Sequence, residues 1–130
     1  MNYIRASSLI YLDDFNFVQV RKMSMVPEKV DFMKLAQGLG DREERTISKI
    51  EDLNVYVTSY LGEYPAHKHP KAEFFFILDG ELELDFNGRS VVLRKGEGLK
   101  VPQETVHNPY AKSRALVMKI EPVEFPFEKV

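Results

Sequence analysis

The chain has 130 residues, of which 44 % are hydrophobic, enough for one domain with a core of its own. Charges of both signs are interspersed and the net charge is −2, which excludes the electrostatic footprint of a nucleic-acid or anionic-membrane binder. Because there is no cysteine, disulfides and thiolate metal sites are also excluded. With no long apolar run and no signal-peptide pattern, we expect a single cytoplasmic domain over residues 1–130.

Residues 3–25 are predicted to form two strands separated by an Asp-Asp pair. In the second strand Phe15 and Phe17 lie on one face while Val18 and Val20 lie on the other, a pattern typical of a strand covered on both sides. A partner subunit would supply the second cover, so we predict a homodimer. Whether this strand packs on its own barrel or on the neighbour's stays open.

Helical spacing follows over residues 27–38, where four apolar residues lie on one face: Phe32, Leu35, Ala36 and Leu39. Pro27 suits the first turn of a helix and Gly38 suits its exit. A short amphipathic helix is therefore expected there. The charged residues 41–45 that come next are interpreted as a solvated turn.

The rest of the chain is rich in strand patterns. Strands are predicted at residues 55–61, 73–78, 81–86, 99–101 and 115–120, with a return strand starting near Val106. The Asn-Gly pair after the third of these favours a type I′ hairpin, which would place Leu84 opposite Val91 and Leu82 opposite Leu93. Short strands separated by glycine-containing turns predict an all-β antiparallel sandwich or barrel.

All three histidines of the chain lie close to these turns. His67 and His69 are two residues apart, so in an extended segment their imidazoles point to the same side. If the next segment is a strand, Glu73 shares its face with apolar residues, and a buried carboxylate needs a cation as partner. His107, which follows the second group of turns, could add a fourth ligand to the same point.

Residues 62–80 and 96–111 resemble the two motifs of the cupin superfamily. The first motif is a glycine, a His-x-His pair, a glutamate after three residues and a glycine after six more, matched here by His67, His69, Glu73 and Gly80. The second is a glycine, five residues, a proline and a histidine five positions later, matched by Gly96, Pro102 and His107. Three positions depart from the pattern. Gly62 precedes the first histidine by one residue fewer, Glu104 replaces the usual glycine, and Ala111 replaces the usual asparagine.

The resemblance implies a double-stranded β-helix, a small jelly roll, with one divalent transition metal (Fe, Mn, Ni, Zn or Cu) inside the barrel. Its ligands would be His67, His69, Glu73 and His107, and two octahedral positions would stay open for a small-molecule ligand or substrate. Two functions fit such a site. One is a metal-dependent enzyme on a small oxygenated molecule, either a dioxygenase or a sugar or keto-acid isomerase. The other is a non-catalytic ligand-binding or sensor module. An empty structural barrel is a third reading, and the sequence identifies no general base.

Overall fold

A computed structural model describes residues 26–130 of the chain. The internal contacts divide the chain into two units, residues 1–30 and 31–130. The strands predicted within residues 3–25, and the dimer interface inferred from them, lie outside the described residues. Among residues 26–130, no helix is long and apolar enough to cross a membrane.

Residues 31–130 contain one short helix and nine strands. The helix is α1 (Phe32–Gln37), and the strands are β1 (Glu44–Ile50), β2 (Leu53–Glu63), β3 (His67–Lys68), β4 (Glu73–Asp79), β5 (Glu81–Phe86), β6 (Arg89–Arg94), β7 (Gly98–Val101), β8 (Asn108–Pro122) and β9 (Glu128–Lys129). The predicted fold class, an all-β antiparallel double-stranded β-helix with one short helix, is confirmed. All pairings between these strands are antiparallel.

The long strand β8 holds the main sheet together. One of its edges pairs with β2, while its other edge pairs with β5 near the start and with β4 near the end. β1 extends the sheet beyond β2, β7 extends it beyond β4, and β6 pairs with β5. Because a single strand serves two partners along one edge, the sheet folds around an interior.

That interior is filled by the alternating inward residues of these strands. Its buried side chains are Tyr60, Phe75, Ile77, Leu82, Leu84, Leu93, Val101, Ala111, Ala115 and Val117. The β5–β6 register pairs Leu84 with Val91 and Leu82 with Leu93, so the hairpin prediction is confirmed. The Asn-Gly turn and the hydrophobic pattern specify the same register. A slip by one residue would turn every buried leucine outward.

Three sequence-based boundaries are wrong, each for a local reason. The helix begins at Phe32 rather than in the region of Pro27, because Asp31 caps it by accepting the Lys34 amide over 3.0 Å. The residues expected to form a solvated turn already enter β1 at Glu44, so only the first part of that run is a turn. The return strand near Val106 and the strand at 115–120 are one strand, β8. Its three exposed residues 112–114 are polar, so the sequence pattern there is that of a turn.

The departures from the cupin pattern have visible structural consequences. Gly62 has φ +81° and lies where the β2–β8 register shifts. A glycine adopts this left-handed backbone conformation without strain, which suits the irregularity. Glu104, at the position where the family has glycine, also has a positive φ of 58°. A non-glycine residue there carries strain of about 1 kcal/mol. Ala111 is completely buried in the barrel.

Candidate metal centre

The two motifs meet through the main chain. The amide of His67 donates to the carbonyl of His107 over 3.0 Å, and the amide of His107 donates to the carbonyl of His67 over 2.9 Å. β3, which carries His67, also pairs with β9 at the end of the chain. The short segment between β2 and β4 is therefore fixed on both sides.

The four predicted ligands come together as one cluster. One possible ligand atom from each of His67, His69, Glu73 and His107 lies within 4.8 Å of the other three. Glu73 and His107 are almost completely buried, His69 is 8 % exposed, and His67 is half-buried. As the sequence predicted, Glu73 shares the inward face of β4 with Phe75 and Ile77. The cluster thus lies at the end of the apolar interior.

Backbone carbonyls orient all three imidazoles in the same way. Each Nδ1 lies 2.8–3.0 Å from a carbonyl oxygen, that of Pro65 for His67, Pro126 for His69 and Thr105 for His107. A carbonyl can only accept a hydrogen bond, so each Nδ1 carries the proton and donates it. In the neutral rings this leaves the Nε2 lone pairs free, which is the tautomer that a metal ligand requires.

The arrangement around Glu73 fits a cation. Its Oε2 lies 2.9 Å from the Nε2 of His107 and 3.3 Å from the Nε2 of His69. Among the described residues, neither carboxylate oxygen nor the Nε2 of His107 has a hydrogen-bond partner, although all three atoms are buried. With the protons on Nδ1, acceptor atoms face each other across the cluster. A positive ion between them would compensate these buried lone pairs, so the donor set fits a metal.

Electrostatics favours an ionised Glu73 and a neutral His67, as metal binding requires, but it also favours a proton on His69 that a metal would have to displace. Burial opposes ionisation of Glu73, but the side chains of His107, His69 and Lys119 outweigh it and hold the pKa of that carboxyl far below its usual range. Burial lowers the pKa of His67, which favours its neutral ring. Burial also disfavours charge on His69, yet the neighbouring Glu73 carboxylate raises the net pKa of that ring.

Lys119 on β8 is a site residue that the sequence analysis missed. Its Nζ lies 3.5 Å from Oε1 of Glu73 and 3.0 Å from the hydroxyl of Tyr60, and its side chain is only 12 % exposed. Burial would lower the pKa of this amine, but Tyr60 and Glu73 outweigh that effect and raise it well above its usual value. A signal was present, because Lys119 has the same strand parity as Ala115 and Val117, which both point inward.

The C-terminal segment also belongs to the site, which the sequence did not indicate. The ring of Phe125 stacks on His69 with centroids 3.9 Å apart and planes at 14°, and Phe127 lies edge-on to His67 at 5.7 Å. Pro126, between them, supplies the carbonyl that orients His69. Residues 122–130 therefore shield the cluster and hold one of its imidazoles.

A cavity of about 300 Å³ adjoins the cluster. Its lining includes two of the histidines and the lysine, together with polar and aromatic groups: Thr58, Tyr60, His67, His69, Lys119 and Phe127. Ligand pockets in proteins range upwards from about this volume, so the space suits a small molecule. The arrangement defines a class of protein: a small β-barrel with a His₃Glu cluster at its interior end and a ligand-sized cavity beside it.

Comparison with known proteins identifies the family. The profile of the cupin domain matches residues 61–120, which include the four cluster residues. The uncharacterized protein YdbB of Bacillus subtilis is 35 % identical over 78 residues, covering 58 % of this chain and 69 % of that protein. The crystal structure of a cupin-2 domain protein from Shewanella frigidimarina has 27 % identity and a TM-score of 0.67, covering 72 % of this chain and 93 % of that one. The chain belongs to the cupin superfamily.

The same barrel occurs in a dioxygenase. The hydroquinone 1,2-dioxygenase PnpCD, crystallised with Cd²⁺ and 4-hydroxybenzonitrile, superimposes with a TM-score of 0.61 at 14 % identity, covering 71 % of each chain. At this identity the likeness concerns the fold alone. The activity of this chain depends on its own site residues.

Proposed function

We propose that this protein is a metal-dependent enzyme acting on a small oxygenated molecule. Of the two reactions that fit the site, dioxygenation and isomerisation, we place dioxygenation first. The proposal rests on one observation. Three imidazoles, all held with the proton on Nδ1, converge with a buried carboxylate whose oxygens lack hydrogen-bond partners among the described residues. A divalent transition metal bound there would supply Lewis acidity and coordination positions open to a substrate oxygen or to dioxygen.

The surrounding residues would prepare a substrate for such chemistry. The aromatic rings of Tyr60 and Phe127 line the cavity beside the cluster, and the C-terminal segment covers His69. Burial raises the pKa of Tyr60 to about 12, so its phenol stays protonated at neutral pH. Lys119 stays charged, so both groups serve as hydrogen-bond donors rather than as general bases. The protein's part in catalysis would be orientation, charge stabilisation and exclusion of water.

The fold relationship to a dioxygenase supports this form of the proposal only in showing that the barrel can accommodate such a reaction. The sugar or keto-acid isomerase form uses the same ligand set without consuming oxygen. A non-catalytic ligand-binding cupin would have the metal and the cavity but no turnover. Oxygen consumption separates the first form from the other two.

The test begins with elemental mass spectrometry of protein purified without chelator or histidine tag, with His69→Ala as control. We expect about one transition metal per chain, lost in the control. Protein loaded anaerobically with Fe(II) or Mn(II) is then exposed to diols, catechols, thiols and keto acids while oxygen uptake is recorded. Uptake that depends on both metal and substrate supports a dioxygenase. If the metal-loaded protein consumes no oxygen with any compound of the panel, the dioxygenase proposal is wrong. Analysis of the same reactions for isomerised products then tests the isomerase proposal.

A further inference from the structure

The cavity next to the cluster contains a buried cation with unused hydrogen-bonding capacity. The ammonium of Lys119 has three N–H donors, and among the described residues only the Tyr60 hydroxyl, at 3.0 Å, accepts one. The nearest carboxylate oxygens, those of Glu73 and Glu121, lie 3.5 and 3.7 Å away, which is within ion-pair range but long for a hydrogen bond. Lys119 therefore presents donors to the cavity that it lines.

A buried hydroxyl without a hydrogen-bond partner among the described residues lines the same cavity. The hydroxyl oxygen of Thr58 is buried and has no hydrogen-bond partner in residues 26–130, and Thr58 lines the same cavity. Strand geometry explains the juxtaposition. Thr58 and Tyr60 are two residues apart on β2 and share its inward face, while Lys119 is paired with Tyr56 on the adjacent strand β8. The cavity is thus lined by an ammonium and a hydroxyl that come from adjacent strands.

The charge balance favours an anion once the cluster holds a divalent metal. Glu73 would then offset part of the metal charge, and Glu121, whose carboxylate lies 3.7 Å from the Nζ of Lys119, would offset the ammonium, so a divalent ion would leave the site with a net positive charge. At the cavity lining, Arg42 and Glu44 carry opposite charges. Arg42 is also committed elsewhere, because its guanidinium donates to the carbonyl of Leu61 and lies 4.0 Å from the ring of Tyr64. The remaining cation facing the cavity is Lys119, beside the metal.

Aromatic and proline side chains form much of the remaining lining of the cavity. Tyr60 and Tyr64 form an edge-on pair with centroids 4.9 Å apart, and Phe127 also lines the cavity. Two prolines, Pro65 and Pro109, complete this surface. Such walls suit a planar ring, and the volume of about 300 Å³ limits its size.

We propose that the substrate is a small planar carboxylate whose anionic group binds Lys119 and Thr58 while an oxygen at its other end faces the metal cluster. This inference rests on the proposed function, since it assigns the substrate class of the same site. Lys119 is here a specificity-determining residue. It selects anions by a charge-assisted hydrogen bond from an ammonium that is largely buried.

The test compares two ligands of the same shape, 3,4-dihydroxybenzoate and 3,4-dihydroxybenzamide, by titration calorimetry on the metal-loaded protein. We expect the carboxylate to bind at least about tenfold more tightly than the amide, as one charge-assisted hydrogen bond implies. In Lys119→Met the preference should disappear when the two proteins are compared at equal metal content per chain. The matched control Lys112→Met removes an exposed lysine of the same strand and should retain the full preference.

Each outcome is decisive. Equal binding of the two ligands to the unmodified protein overturns the proposal without reference to any variant. A carboxylate preference that persists in Lys119→Met also overturns it, because the anion would then bind the metal directly. Should Lys119→Met fold poorly, Lys119→Arg is expected to keep the preference, and its loss there contradicts a charge-based role. A protein that binds no metal would instead contradict the proposed function, and elemental mass spectrometry measures this separately.

Discussion

The main chains of His67 and His107, forty residues apart in sequence, exchange two hydrogen bonds of 3.0 and 2.9 Å. This isolated bridge aligns the two motifs, so that the imidazole rings of the two residues lie with centroids 4.4 Å apart. Since the bridge uses only backbone atoms, it does not depend on either side chain. The ligands can therefore be exchanged without separating the segments that carry them.

The first prediction follows from that separation of roles. His107→Ala should abolish tight metal binding, because it removes a completely buried ligand, while the antiparallel bridge stays formed. We expect less than about 0.1 metal per chain by elemental mass spectrometry and a far-ultraviolet circular dichroism spectrum unchanged from the parent. The matched control is His107→Gln, which keeps a polar side chain at the same place. Full metal content in the alanine variant would show that His107 is not a ligand.

The C-terminal segment provides the second prediction. Removal of residues 124–130 takes away the Pro126 carbonyl that orients His69 and the Phe125 ring that stacks on it. Loss of such an outer partner typically lowers metal affinity about 10–100-fold, and we expect a decrease of that size by chelator competition. Phe127→Leu, which alters only the edge-on ring, serves as control and should change the affinity much less. An unchanged affinity in the truncated chain would contradict the role assigned to this segment.

The strained turn at Glu104 gives the third prediction. Its φ of 58° is a glycine conformation, and its amide donates to the carbonyl of His69. Glu104→Gly should therefore be neutral or stabilise the fold by up to about 1 kcal/mol, since relief of strain is offset by the larger entropy of the unfolded chain. Glu104→Val, which is branched at Cβ, should destabilise it by more than about 1 kcal/mol. Urea denaturation measures the stability of both variants. A Glu104→Val variant as stable as the Glu104→Gly variant would show that the turn is not strained.

Sequence reasoning succeeded where chemistry is encoded by spacing. The alternation in residues 81–86 and the Asn-Gly turn fix the hairpin register, and the His-x-His pair with Glu73 and His107 marks the cluster that the structure assembles. It failed where tertiary pairing decides. β1 and β9 exist because β2 and β3 offer them edges. The parity that Lys119 shares with Ala115 and Val117 predicts an inward side chain, but its place beside Glu73 depends on β8 lying between β2 and β4, which no local pattern reveals.

The homodimer stays a prediction, based on the doubly apolar strand at residues 15–25. Sedimentation velocity at tens of micromolar should give a dimer of the 15.1 kDa chain. Phe17→Glu places a charge on one of the two apolar faces and should shift the equilibrium towards monomer, whereas Phe17→Leu keeps that face apolar and should have a smaller effect. A monomer at that concentration in the unmodified protein would refute the prediction. Cytoplasmic location is likewise an untested expectation.

The last prediction concerns pH. In the metal-free protein the raised pKa of His69 stabilises the fold below about pH 6.5 and this contribution is lost as pH rises through the folded pKa. The lowered pKa of His67 has the opposite effect, since its buried ring resists protonation in acid. Metal binding requires all three rings neutral, so protons compete with the metal most strongly below about pH 6.

The clean observable is therefore the difference in melting temperature between metal-loaded and metal-free protein, which cancels contributions common to both. We expect this difference to grow steadily from about pH 5.5 to about pH 7.5, because the metal no longer displaces protons from the imidazoles at the upper end. Differential scanning calorimetry at fixed free-metal concentration measures it, and His69→Ala should reduce the gain at every pH. A gain that is flat or falls with rising pH would mean that the bound ion does not use neutral histidines.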